Sequence, residues 1–165
     1  GSFAADNGMV DAPIGRDDRD RTRMAVSIET GSRSSITTFN VLERFEAGRH
    51  DDGYNLLECK LYTGRTHQIR VHMSYTRHPV VGDPVYGRAA NVKARNRDNA
   101  LRTELGLDRQ FLHSYKLSFT HPITGEAMSF TDTLPWDLVN VLDQIADRSE
   151  GLTDYGRTCF GEQGY

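Results

Sequence analysis

The strongest constraint on the fold is a pair of alternating runs on either side of a tight polar turn. Residues 36–46 (ITTFNVLERFE) are rich in β-branched and aromatic side chains in rough alternation with polar ones, and residues 54–63 (YNLLECKLYT) repeat the pattern. Between them lies His50-Asp51-Asp52-Gly53, a combination that favours chain reversal. Period-two alternation sends successive side chains to opposite faces, so the two runs are predicted to form a β-hairpin. A lone hairpin is marginal in water, so other elements have to cover its apolar face.

The remaining segments supply candidates. Met24-Ala25-Val26 reads as a short strand. It closes a stretch in which Arg16, Arg19, Arg21 and Arg23 stand against Asp17, Asp18 and Asp20. At Thr63-Gly64 the period changes. Thr66 is a candidate cap for a helix carrying Ile69, Val71, Met73 and Tyr75, and Pro79 would stop it. Pro79, Gly82, Pro84 and Gly87 mark 79–88 as an ordered loop. Residues 110–119 (QFLHSYKLSF) and 126–131 (EAMSFT) read as a second hairpin across the turn at Pro122–Gly125. Pro135 suits the start of a last helix through Leu138, Val139, Leu142 and Ile145. Residues 1–12 read as a cleavage scar, Gly1-Ser2, and a flexible N-terminus, and 13–148 as the folded body. Within it, 89–107 reads as a basic insertion (Lys93, Arg95, Arg97 and Arg102 against Asp98 and Glu104), and 149–165 reads as a tail. No internal repeat is visible. The expected class is α+β: a mixed, mostly antiparallel sheet with one or two helices packed on it. That class hosts many functions and selects none.

Charge is more informative than its total. The 165 residues sum to −3, which does not advertise nucleic-acid binding. From Cys59 to Gly82, however, there is no acidic residue, while Lys60, Arg65, Arg70 and Arg77 are joined by His67, His72 and His78. From Asp132 onward seven acidic residues face two basic ones, so a basic and an acidic region offset each other. A polyanion would be attracted to the acid-free window, because each phosphate contact releases counterions. The ordinary alternative is that these arginines are scattered surface charges. Arg70 is the exception, since it lies between Ile69 and Val71 and is expected to be partly buried. A buried guanidinium needs a carboxylate; removing one partner of such a pair costs about 3–5 kcal/mol. With no acid close by, the partner is expected from elsewhere in the fold or from outside the chain.

Other chemistries find little support. Cys59 and Cys159 form no CxxC pair, so neither a zinc site nor a disulfide framework is expected, and a reduced, cytoplasmic setting fits. His67 and His72 are five apart and do not share a helical face as an i, i+4 ligand pair does, so no metal is expected. Gly64, Gly82 and Gly87 lack the spacing of a phosphate-binding loop. No apolar run approaches the roughly 20 residues that cross a bilayer, so no membrane partner is expected.

TGRTHQIRVH (63–72) followed by HPVVGDPVYG (78–87) resembles a hallmark of the RluA/RluD-like family of ribosomal large-subunit RNA pseudouridine synthases. PIGRDDRDRTRMAV (13–26), TTFNVLERF (37–45), RQFLHSYKLSFTHPITGEAMSF (109–130) and LPWDL (134–138) resemble further family segments in the same order, over roughly residues 13–145. Asp17-Asp18 departs from the His-Pro usual there. More consequentially, the family's HRLD-type motif, which carries the catalytic aspartate, and the tyrosine that follows it are not in this sequence. Asp20 lies in a segment that matches a different part of the family.

The resemblance implies a cofactor-free isomerisation of uridine in RNA. The bond from C1′ to N1 breaks, the uracil turns, and it rejoins through carbon 5. An aspartate acts as nucleophile or base on a nucleotide flipped from its stack. By position, Arg70 matches the motif arginine that pairs with the catalytic aspartate, here absent from the chain. Leu112 matches an apolar residue packed near the active site. Arg65, His67, Gln68 and Arg77 are the expected RNA contacts. The expected partner is RNA, by family default large-subunit ribosomal RNA, with transfer RNA as an alternative. Exposed sheet edges are expected to allow self-association. Two readings follow: a fragment of an active isomerase, inactive by itself, or a catalytically inert RNA-binding module. A structural domain with a chance motif is the third.

Overall fold

The computed structural model describes residues 1–49, 51–87, 105 and 107–161. In chain order the strands are β1 (Asn7–Asp11), β2 (Ile14–Arg16), β3 (Met24–Val26), β4 (Ile36–Phe45), β5 (Tyr54–Leu61), β6 (Lys116–Thr120), β7 (Ala127–Thr131) and β8 (Ser149–Leu152). The α-helices are α1 (Gln68–Tyr75), α2 (Trp136–Gln144) and α3 (Asp154–Phe160), with a 3₁₀ turn at Ala146–Arg148. The class is α+β, and every described strand pairing is antiparallel.

The alternating run at 36–45 becomes the organising strand. β5 pairs with β4 from Thr37↔Leu61 to Phe45↔Tyr54, which is the predicted hairpin. The other edge of β4 is shared. β1 takes its first half, from Asp11↔Ile36 to Asn7↔Asn40, and β8 takes its second at Glu43↔Leu152 and Phe45↔Ser149. Near the middle the register slips, with Val41 opposite Leu57 but Glu43 opposite Leu56, so Leu42 is the extra residue of a bulge. The bulge divides two cores. Phe39 and Val41 pack with Val10, Ala12 and Met73, whereas Leu42 and Phe45 pack with Leu56, Leu138, Val141, Leu142 and Ile145.

Several boundaries differ from the sequence-based expectation. Residues 1–12 are not a flexible leader, because Asn7–Asp11 forms β1 and buries Val10 and Ala12. An edge strand needs backbone pairing more than apolar side chains, so the polar composition concealed it. Residues 149–165 are not simply a tail, since 149–160 form β8 and α3 on β4. That docking is polar: Thr153 donates from N to the Leu42 carbonyl at 2.9 Å and from Oγ1 to the Val41 carbonyl at 2.6 Å. Among the described residues, three α-helices therefore stand where one or two were expected. The expected insertion at 89–107 lies mostly outside the described residues, but Leu105 and Leu107 are buried in the larger core. The second predicted hairpin is present as β6–β7, with nearly all of its residues exposed.

Candidate functional site

The TGRTH turn is built around an amide. Gln68 is 3% exposed. Its Oε1 accepts from Thr63 Oγ1 at 2.8 Å and from the Arg65 amide at 3.0 Å. Its Nε2 donates to the Ile36 carbonyl and to Thr37 Oγ1, both at 3.0 Å. The side chain thus pins the turn to β4 and has nothing left to offer a ligand, which corrects its expected role as an RNA contact. His72, one turn on, is fully buried, with Nε2 2.9 Å from the Ala12 carbonyl and Nδ1 2.9 Å from Thr37 Oγ1. A carbonyl can only accept, so Nε2 carries the hydrogen and Nδ1 accepts from the threonine hydroxyl. Burial lowers the His72 pKa, which keeps this ring neutral.

Thr66 does not cap α1. The cap position is His67, in the left-handed conformation at φ 57° and with no side-chain cap bond. A non-glycine residue held there is strained and marks a place where the surroundings dictate the backbone. The ring of His67 explains part of this, since its Nδ1 lies 3.0 Å from the hydroxyl of buried Tyr86. That hydroxyl accepts from the Met24 amide at 3.0 Å, which leaves its own hydrogen available to Nδ1 in the arrangement that satisfies both groups. Nε2 of His67 is then the N–H. Burial, helped by nearby Arg70, lowers the pKa and favours the neutral ring.

Arg70 has a carboxylate within this chain. Its Nε donates to Asp83 Oδ2 at 2.7 Å and its Nη2 to Asp83 Oδ1 at 2.8 Å, a bidentate fork on a fully buried side chain. Of the two expected sources of its partner, the fold itself supplies this one. Asp83 follows the acid-free window by one residue, and the turn at Gly82 brings it back under α1. Asp83 Oδ1 also accepts from the amides of Val85 and Tyr86. Burial pushes the carboxyl up, but these bonds outweigh it and hold its pKa below the ordinary value. The Arg70 guanidinium sits 4.9 Å from the centre of the Tyr86 ring. Arg70 is therefore an internal strut that fixes the 78–87 loop.

Beside this framework a cleft of about 350 Å³ opens between β2, the 31–33 turn and the 64–67 turn. Arg16, Arg33, Arg65 and His67 line it, and no carboxylate does. Arg65 lies at its edge, with its Nε on the Ser34 carbonyl at 3.1 Å. Arg77 is exposed at φ 67° just after α1 and does not line the cleft. Leu112 does not line it either. It is half-buried on the segment where the Phe111 amide meets the Val81 carbonyl at 2.8 Å. Sequence reasoning missed Arg16 and Arg33 as cleft residues, because the acid-rich stretch after Arg16 reads as a mixture of cancelling charges. Among the described residues no three of His, Cys, Asp and Glu gather as metal ligands, and no helix is long and apolar enough to cross a membrane.

The sequence model of the RNA pseudouridylate synthase family matches residues 3–75. An uncharacterized RNA pseudouridine synthase of Chloroflexus aurantiacus is 45% identical over 144 residues, 87% of this chain and 39% of that protein. Ribosomal large subunit pseudouridine synthase D of Xanthomonas campestris is 39% identical over 150 residues, 91% of this chain and 43% of that protein. Among solved structures, human RNA pseudouridylate synthase domain containing 1 superposes with a TM-score of 0.66 at 26% identity, covering 89% of this chain and 60% of the human chain. The chain thus spans about two fifths of the length of the curated relatives it matches.

Proposed function

We propose that this chain, which belongs to the RNA pseudouridylate synthase family, supplies the RNA-holding part of an enzyme that isomerises uridine to pseudouridine in RNA. The observation that carries this reading is the acid-free cleft. Three arginines line it without a carboxylate, and a phosphate backbone is the polyanion that such a surface attracts. The substrate class is RNA, and large-subunit ribosomal RNA is favoured by the name of the Xanthomonas campestris relative, with transfer RNA as the alternative. The reaction draws on no cofactor in this reading, and its setting is the cytoplasm. The catalytic carboxylate belongs to an HRLD-type motif outside these 165 residues.

Within the reaction the chain's own residues bind and orient. The arginines offset backbone charge, which helps meet the cost of a few kcal/mol for flipping a nucleotide out of its stack. Arg70 positions the loop beneath the site rather than meeting the substrate. Taken alone, the chain is expected to be an RNA-binding module without turnover, because the HRLD-type motif that carries the family's catalytic aspartate is not in this sequence. Tritium release from RNA carrying 5-tritiated uridine tests both halves of the reading. The purified 165-residue chain should give the blank value, and a longer gene product containing an HRLD-type motif should release tritium. Release by the chain alone would contradict the assignment of the nucleophile, and none by the longer protein would contradict the family function here.

A further inference from the structure

The arginines that tie elements of this fold together each have a carboxylate. Arg44 is 2.7 Å from Asp6, Arg70 2.7 Å from Asp83, Arg109 2.8 Å from Asp137 and Arg148 2.5 Å from Asp51. Arg16, Arg33 and Arg65 form no ion pair among the described residues, although the backbone delivers all three to one cleft. That delivery is tightly built. Ile14 and Arg33 exchange a reciprocal pair of backbone hydrogen bonds, both 2.9 Å, which clamps the 31–33 turn against β2. A Cβ on Gly15 would meet Ser32 Oγ at 2.5 Å and Ser32 Cα at 3.5 Å, so a larger residue there would have to turn the serine hydroxyl aside. Arg65 is anchored through its Nε on Ser34, next to Arg33, and Arg16 through its Nη1 on the Arg21 carbonyl at 3.1 Å. Like charges held together repel, and an anion between them removes that cost.

We propose that this cleft is a seat for a phosphodiester group of the RNA backbone, gripped by Arg16, Arg33 and Arg65, with the Nε2–H of His67 as a neutral fourth donor. The inference rests on the RNA reading above and adds the chemical group that the cleft takes. The lining carries no Phe, Tyr or Trp on which a base could stack, and its donors are guanidinium groups, which suit phosphate oxygens. The strained backbone and the Tyr86 bond of His67 fix its ring so that the donor nitrogen is set before a ligand arrives. In this proposal the uracil being isomerised is held elsewhere, and this cleft fixes the strand beside it.

Arginine Nε–H resonances of the ¹⁵N-labelled chain, titrated with dimethyl phosphate, give the direct test. The signals of Arg16, Arg33 and Arg65 should shift together and saturate, while those of Arg109 and Arg148 stay in place; uridine nucleoside should move none of them. In parallel, oligouridine affinity is measured against salt. Arg16→Ala and Arg33→Ala should each flatten the slope of log affinity against log salt, and the two together by up to about 0.7, the value for one phosphate contact on a single strand, whereas Arg33→Lys should keep most of it. Uniform shifts over all surface arginines, or shifts caused by uridine, would overturn the seat. If oligouridine binds with a steep salt slope that neither alanine variant changes, the seat is wrong and the RNA reading stands. If dimethyl phosphate titrates the three arginines but oligouridine does not bind, the seat stands and the RNA reading falls.

Discussion

At the scale of single residues, the acid-free window proves to be two populations. Arg70 turns inward onto Asp83, and Arg65 stays at the cleft. The Asp83 carboxylate is fully buried, so Arg70→Ala leaves it uncompensated and should cost about 3–5 kcal/mol. The midpoint of urea unfolding should fall accordingly. Arg70→Lys keeps the charge but loses the fork and should fall between the two. Pairing Arg70→Met with Asp83→Asn, which keeps an oxygen for the Val85 and Tyr86 amides, should recover part of the loss, and an unchanged midpoint in Arg70→Ala would contradict the strut. His72 gives a pH prediction. The fold lowers its pKa, whereas the unfolded chain takes up a proton near its ordinary value of about 6.5. Its contribution is complete above that value and is lost as pH falls through the lower folded pKa, and His67 acts with the same sign. The melting temperature should therefore drop between about pH 7.5 and pH 5.5, and the drop should be smaller in His72→Gln. A melt that rises on acidification would refute the neutral, buried ring.

At the scale of elements, α3 depends on one glycine. A Cβ on Gly156 would collide with the Leu42 carbonyl at the β4 bulge, so Gly156→Ala should loosen the helix from the sheet. Amide exchange in 154–160 should become fast while that of β5 stays slow; equal protection in the variant would contradict the docking. The β6–β7 hairpin makes a second prediction. Leu117 and Phe119 lie opposite Phe130 and Met128, and Leu117, Phe119 and Phe130 are each more than two fifths exposed. A ribbon with one uncovered apolar face is prone to pair with other chains. Phe119→Lys with Phe130→Lys should lower the concentration-dependent mass seen by analytical ultracentrifugation, and no change would exclude this ribbon as the contact. These elements also explain what was legible in the sequence. The β4–β5 hairpin, α1, the β6–β7 hairpin and α2 announce themselves by apolar periodicity. β1, β8 and α3 are held by backbone pairing, a threonine and a glycine contact, none of which leaves a periodic trace. The ordered motif at 63–87 contains the turn that borders the cleft, but Asp83 lies one residue outside the window in which a partner for Arg70 was sought. Arg16 and Arg33 enter the cleft through a β2–turn clamp that has no signature in local composition.

At the scale of the whole molecule, the net charge of −3 is a poor guide, because the basic cleft and the acidic C-terminal region sit on different parts of one fold. The account makes the chain an RNA-holding portion of a pseudouridine synthase, with recognition carried by charge where no carboxylate interferes. Filter binding of single-stranded RNA to the purified chain over a range of salt concentrations measures that claim most directly. If the three cleft arginines together seat one phosphate, log affinity should fall against log salt with a slope of at least about −0.7 in magnitude, and Arg65→Ala should make the slope shallower while the chain stays folded. Affinity that is flat with salt, or a slope indifferent to Arg65, would contradict it.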